Sequence, residues 1–146
     1  MREVRPQPPG VSNSGRTEAL ADAIMTREAR EMRRLEDLET LTEQEKQMLR
    51  EVKRAVLHLA PDAEVILYGS TARGERGPES DYDVLVLVER PMTRAQRDGV
   101  SNAVYDVELE YGTVILSMVF SREDWSTGLI SVSPYRENVE REGAVV

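Results

Sequence analysis

Two short apolar runs stand near the middle of the chain and are separated by a polar segment. They occupy residues 65–68 and 84–88, and both are rich in valine, isoleucine and leucine. Runs of this length and composition are typical of buried strands. The segment between them is rich in Gly, Ser, Arg and Pro, as turns are. The pattern predicts two strands with candidate chemistry at their polar ends.

A second pattern, of helical period, precedes these strands. Leucine, isoleucine and methionine recur at roughly helical spacing among many charges over residues 17–41. This predicts a long charged helix, which either packs one stripe on the core or pairs with another chain, including a second copy. Residues 1–16 are rich in Pro, Gly, Ser, Asn and Arg and predict a disordered tail. Residues 42–146 are then expected to form one domain, which contains both apolar runs.

Further helices and strands are marked by capping residues and by returning apolar runs. Thr42 with Glu45, and Thr93 with Gln96, fit the capping box that opens a helix. A third strand is predicted over residues 113–120. The remaining predictions are a short helix after Ser121, a last helix opened by Ser133-Pro134, and an edge strand at Ala144-Val145-Val146.

The polar ends of the two central strands carry a candidate metal and phosphate site. Side chains alternate along a strand, so Asp81 and Asp83 are expected to share one face. Two carboxylates on one rigid edge suit Mg²⁺, which completes its shell with water and substrate phosphates. Gly69 permits close approach of the backbone to a ligand, and Ser70 adds a hydroxyl donor. Arg73 either reaches a phosphate oxygen or pairs with a nearby glutamate.

Gly69-Ser70, ten intervening residues and then Asp81-x-Asp83 resemble the signature of the minimal nucleotidyltransferases of the DNA polymerase beta-like superfamily. The similarity extends to Ala72-Arg73-Gly74 and to Ser80. The resemblance implies an α+β fold, with a small mixed sheet and helices packed on it. It also implies transfer of a nucleoside monophosphate, with AMP expected, from an NTP such as ATP to an acceptor hydroxyl. Relatives are often antitoxins paired with a HEPN-domain ribonuclease, which some of them modify on a tyrosine.

One feature of the family is absent from this sequence. Members usually carry a third carboxylate on the strand after the helix, whereas residues 111–122 contain no Asp or Glu. Within that strand, Ser117 is the interior polar side chain that is expected to face Asp81 and Asp83. Asp106, Glu108 and Glu110 are expected mostly on the solvent side of the preceding helix, and the alternative is that one of them substitutes for the missing carboxylate. The alternative function is therefore a catalytically weak or inactive protein that binds nucleotide or a partner.

Composition and charge exclude some kinds of chemistry and some kinds of partner. The chain has no cysteine and one histidine, His58, so disulfides and cysteine chemistry are excluded and His58 is expected to be structural. No apolar run has membrane-spanning length, and a cytoplasmic location is the expectation. Of the net charge of −8, the excess of acid falls in residues 61–146, which hold 8 basic and 16 acidic side chains. This disfavours a nucleic-acid partner.

Overall fold

The computed structural model describes residues 32–146, which form a five-stranded sheet with helices on both faces. The α+β class and the small mixed sheet predicted from the sequence are confirmed. The strands are β1 (Arg33–Arg34), β2 (Glu64–Tyr68), β3 (Tyr82–Val88), β4 (Ile115–Ser121) and β5 (Ala144–Val145). The helices are α1 (Glu43–Leu59), α2 (Gly69–Arg73), α3 (Arg94–Tyr111), α4 (Arg122–Ser126), α5 (Gly128–Ser131) and α6 (Pro134–Glu142).

The sheet has the order β1-β5-β2-β3-β4, with antiparallel and parallel pairs. Strands β2 and β3 are antiparallel, and Tyr68 is paired with Asp83. Strands β3 and β4 are parallel, and Asp83 is paired with Leu116. One row across the sheet therefore contains Tyr68, Asp83 and Leu116, all on the same face. We call this face the front of the sheet.

The back of the sheet carries the main core. Alternate residues of β2 and β3, among them Val65, Leu67, Val84 and Val86, pack against α1 and α3. All four of these side chains are less than 2% exposed. Burying a Val or Leu side chain contributes about 1.5–3 kcal/mol, so this layer is the main source of stability. Because side chains alternate along a strand, burial of these residues on the back places the intervening residues on the front of the sheet.

Both long helices begin where the sequence predicted. Thr42 Oγ1 accepts a hydrogen bond from the Glu45 backbone N–H, and a Glu45 carboxylate oxygen accepts one from the Thr42 N–H. Thr93 and Gln96 exchange the same pair of bonds at the start of α3. These bonds satisfy backbone donors that a helix start otherwise leaves free.

Four aromatic rings cover part of the front of the sheet. Tyr135, in the first turn of α6, lies edge-on to Tyr68 with ring centroids 5.5 Å apart. It also packs against Trp125 of α4 and Phe120 of β4, at 6.0 and 6.3 Å. Because helices cover both faces of the central strand, β3 is apolar on both sides.

The predicted helix over residues 17–41 does not extend through its last part. Arg33–Arg34 is a strand, and Leu35–Asp37 is a 3-10 turn. Leu35, Leu38 and Leu41 are spaced by three residues, and turns with this spacing place all three in the core at 1–7% exposure. This segment is thus part of the domain core, and the rest of the predicted helix and the tail lie outside the described residues.

The strand predicted at the end of the chain is present as β5, but its predicted position at the edge of the sheet was wrong. β5 lies between β1 and β2, pairing parallel with the first and antiparallel with the second. Arg33 contributes to this arrangement by donating a hydrogen bond to the Ala72 carbonyl at 2.9 Å.

Within residues 32–146, no helix is long and apolar enough to cross a membrane.

Candidate functional site

The antiparallel pairing of β2 and β3 brings the two sequence motifs together. β2 ends at Tyr68, the chain turns through α2, and it returns along β3 with Asp83 opposite Tyr68. Gly69 and Ser70 therefore follow the strand end that adjoins Asp83. Although ten residues separate Ser70 from Asp81 in sequence, the strand register makes them neighbours in one site.

Gly69 is the residue at which the backbone of the turn comes closest to the Asp83 side chain. It has a φ of 77°, which is strained for any residue with a side chain. A β-carbon at this position would also collide with Oδ2 of Asp83. Only glycine fits both requirements, so the backbone of the turn passes directly beside the carboxylate.

Asp81 and Asp83 stand at the start of β3 with different exposure. Asp81 is exposed and Asp83 is half-buried, whereas Tyr82 between them is buried on the back of the sheet. The Tyr82 hydroxyl donates a hydrogen bond to Glu45 Oε1 at 2.7 Å. Thr71 Oγ1 donates another to the Asp81 carbonyl at 3.1 Å. These two bonds hold the strand start to α1 and α2.

The electrostatics of the pair favour a bound cation. The pKa of Asp83 is raised above its usual value of 3.8, mainly by burial and further by the charge of Asp81. The positive charge of Arg73 opposes this rise. Because burial and a neighbouring negative charge disfavour the ionised form of Asp83, a cation bound beside the two carboxylates would stabilise that form.

Arg73 is held by two glutamates. Its Nε lies 3.0 Å from Glu75, and a terminal nitrogen lies 2.9 Å from Glu142 at the end of α6. The guanidinium remains close enough to Asp83 to lower that residue's pKa. The structure thus places Arg73 near the predicted site with its donors engaged, as in the glutamate-pairing alternative. Arg76, farther along the same loop, forms an ion pair with Glu45.

Tyr135 contributes a hydroxyl that the sequence did not suggest. Its oxygen is buried and makes no hydrogen bond of ordinary geometry among residues 32–146, although the Tyr68 side chain is near enough to affect its pKa. Burial raises its pKa above the usual value of 10.0, and the nearby Tyr68 and the charge of Asp83 add to the rise. Tyr135 is therefore a neutral phenol at physiological pH, beside the ring that adjoins Asp83.

The strand that lacks a carboxylate presents leucine at the position next to Asp83. Leu116 is paired with Asp83 and is 50% exposed, and Met118 and Val114 on the same face are 47% and 49% exposed. The expectation for Ser117 was wrong, because Ser117 is paired with Val84 on the back of the sheet. In the described part of the chain, no group of three or more metal-ligating side chains is found.

The three acidic residues of α3 do not replace the missing carboxylate. α3 packs on the back of the sheet, whereas Asp83 is on the front. A carboxylate oxygen of Glu108 accepts a hydrogen bond from the Ile115 N–H. Asp106 and Glu110 border a groove between α1 and α3.

Four front-face residues beside the predicted motifs were missed from the sequence: Tyr68, Leu116, Tyr135 and Glu142. Tyr68 carried a weak signal because it directly precedes Gly69. Leu116 required the register of a parallel pair, which sequence pattern does not give. Tyr135 and Glu142 are more than fifty residues from either motif, and no local pattern marks them.

Comparison with known proteins gives two findings. Residues 49–126, which include both motifs, match the family described as "Nucleotidyltransferase domain". A protein of Methanocaldococcus jannaschii that carries the name "Putative protein adenylyltransferase MJ0141" is 30% identical over 78 residues. The aligned region is 52% of this chain and 79% of that relative.

Proposed function

The chain belongs to the nucleotidyltransferase domain family, and from this premise we propose that it transfers AMP from ATP to a hydroxyl group of a partner protein. Transfer of a nucleoside monophosphate is the chemistry of the family. AMP as the group and a protein as the acceptor are supported by the name of the similar adenylyltransferase. The new bond joins the acceptor oxygen to the α-phosphorus, and pyrophosphate leaves.

One observation carries this proposal: the turn at Gly69 lies directly against Asp83. A triphosphate that follows the Gly69-Ser70 backbone would approach both aspartates at the start of β3. Such a placement is what phosphoryl transfer requires, because its catalysis depends mainly on positioning and on stabilisation of charge.

Asp81 and Asp83 are the residues that would hold Mg²⁺. The fit rests on two hard oxygen donors on one strand edge and on the raised pKa of Asp83, which a cation would relieve. When bound, Mg²⁺ would neutralise phosphate charge. Gly69 and Ser70 would hold the triphosphate. Arg73, fixed by Glu75 and Glu142, would keep a positive charge beside the site.

The acceptor proton has no assigned base at this site. Leu116 occupies the row position next to Asp83, and the Tyr135 hydroxyl is neutral because its pKa is raised. A site of this kind favours an acceptor that ionises readily. A tyrosyl hydroxyl, with an ordinary pKa of about 10, loses its proton far more easily than an aliphatic alcohol.

A protein acceptor also agrees with the surface around the site. Leu116 and Met118 on the front of β4, together with Val114 just before the strand, form a half-exposed apolar row. The acidic balance of residues 61–146 would repel a polyanionic acceptor. The HEPN-domain ribonuclease implied by the family resemblance is the partner that we propose, and its tyrosine is the acceptor.

Mass spectrometry of a purified HEPN-domain partner after incubation with isotopically labelled ATP tests this function. We expect label on a tyrosine of the partner with the wild-type chain and none with the Asp81→Asn, Asp83→Asn double variant. Label on a nucleic acid or a small molecule instead would refute the protein acceptor. Label that persists in the double variant would refute the site.

The second candidate is a protein that binds its partner without transferring a nucleotide. Leucine at position 116, in place of a carboxylate, favours this candidate. It predicts that the wild-type chain and the double variant neutralise the same partner equally well, with no label on either protein.

A further inference from the structure

A groove between α1 and α3 lies on the outer side of the helical layer, away from the proposed transfer site. The groove has a volume of ≈ 730 Å³ and is open to solvent, as a protein contact surface is.

The groove has an apolar floor and charged sides. Ala55, Ala103 and Val107 line the floor, and Leu59 borders it with 49% of its surface exposed. On the neighbouring surface of α3, Tyr105 and Leu109 are 54% and 64% exposed. Exposed apolar side chains grouped in this way are typical of a protein contact surface.

The charges along the groove are divided between the two helices. Arg54 and His58 line it from α1, and Asp106 and Glu110 line it from α3. All four side chains are exposed, and none forms a hydrogen bond or ion pair within residues 32–146. Glu51, also on α1, accepts a hydrogen bond from the Tyr111 hydroxyl of its own chain at 2.9 Å. Among the described residues, Arg54 is thus the unpaired cation on the α1 side of the groove, and Asp106 and Glu110 are the unpaired anions on the α3 side.

We propose that this groove binds a second copy of the chain about a two-fold axis parallel to the helices. The helices are antiparallel, because Leu59 lies against Gly99 at one end and Glu51 meets Tyr111 at the other. Arg54 is therefore level with Asp106. The two-fold axis places α1 of each copy over α3 of the other, so that Arg54 of each copy faces Asp106 of the other. Such an interface is self-complementary, as two-fold symmetry requires.

Charge reversal with complementation in trans tests the proposal, with sedimentation velocity at low salt as the measurement. Arg54→Glu places a glutamate opposite Asp106, and Asp106→Arg places an arginine opposite Arg54. Each change occurs twice per dimer, so we expect each variant alone to associate about 10-fold more weakly than the wild type. An equimolar mixture of the two should recover wild-type association, because both contacts of the mixed dimer then join opposite charges.

Arg90→Glu, an exposed charge reversal outside the groove, is the matched control and should leave association unchanged. Thermal unfolding confirms that each variant is folded. A monomeric wild type, or a dimer that tolerates both reversals, would overturn the proposal. So would a loss of association that mixing does not recover, because another segment or another protein would then occupy the groove.

Discussion

Gly69 combines a positive φ with contact to a carboxylate, and these two properties can be separated by substitution. Its φ is 77°, and a β-carbon would collide with Asp83. Gly128 has a similar φ of 69°, but no atom lies within 4 Å of a β-carbon built there. The pair distinguishes backbone strain from damage to the site.

We expect Gly69→Ala to abolish ATP binding and to destabilise the fold by more than the strain alone. A left-handed conformation costs a residue with a side chain about 1–2 kcal/mol. Gly128→Ala should show this cost in denaturant unfolding while retaining ATP binding. Equal loss of binding in both variants would contradict the role given to the Gly69 contact.

Leu116 is the position at which a third carboxylate would complete the site. Leu116→Asp should raise the rate of AMP transfer, by as much as about 10²–10⁴-fold if the new carboxylate acts as a general base. Ser117→Asp is the matched control, because Ser117 faces the back of the sheet. It should give no gain in rate and should lower stability. A gain from Ser117→Asp alone would show that the assigned faces are wrong.

Asp83 should titrate above its usual pKa of 3.8 in the metal-free protein. The folded chain then keeps a proton that the unfolded chain has lost, so this residue makes folding less favourable as pH rises through the raised pKa. Mg²⁺ needs the ionised form, so its affinity is lost as pH falls through the same range. Carboxyl NMR titration should show a lower pKa for Asp83 in Asp81→Asn. An unchanged pKa of Asp83 in this variant would contradict the proposed electrostatic coupling between Asp81 and Asp83.

At the scale of elements, capping chemistry was predictable and strand register was not. The starts of α1 and α3 followed from two pairs of residues that are each three positions apart, Thr42 with Glu45 and Thr93 with Gln96. The face on which Ser117 and Leu116 lie depends on the pairing of β4 with β3, which a one-residue shift would reverse. The Leu35 to Leu41 spacing fits both a helix and successive tight turns, so periodicity alone could not separate them.

The segment from Leu35 to Leu41 is part of the core, and its contribution to stability can be measured by denaturant unfolding. Leu38 is 4% exposed, so Leu38→Ala should reduce the free energy of unfolding by about 2–5 kcal/mol. Glu39→Ala, at the exposed neighbouring position, should change it by no more than about 0.5 kcal/mol. If both substitutions change the free energy of unfolding by the same small amount, the segment is a peripheral extension and not part of the core.

At the scale of the whole molecule, the two faces of the sheet have separate tasks. The back of the sheet and its two long helices supply most of the buried apolar surface. The front holds Gly69, Asp83 and the aromatic cluster of Tyr68 and Tyr135. The motif spacing was enough to predict that Gly69 and Asp83 lie close together. The contributions of Tyr135 and Glu142 were not predictable, because α6 reaches the site only through tertiary packing.

Calorimetric titration of ATP in the presence and absence of Mg²⁺ tests the central claim most directly. Two adjacent carboxylates repel a triphosphate unless a cation lies between them. The account predicts that ATP binds only with Mg²⁺ and that binding is lost in the Asp81→Asn, Asp83→Asn double variant. Binding without Mg²⁺ that is unaffected by the double substitution would contradict it.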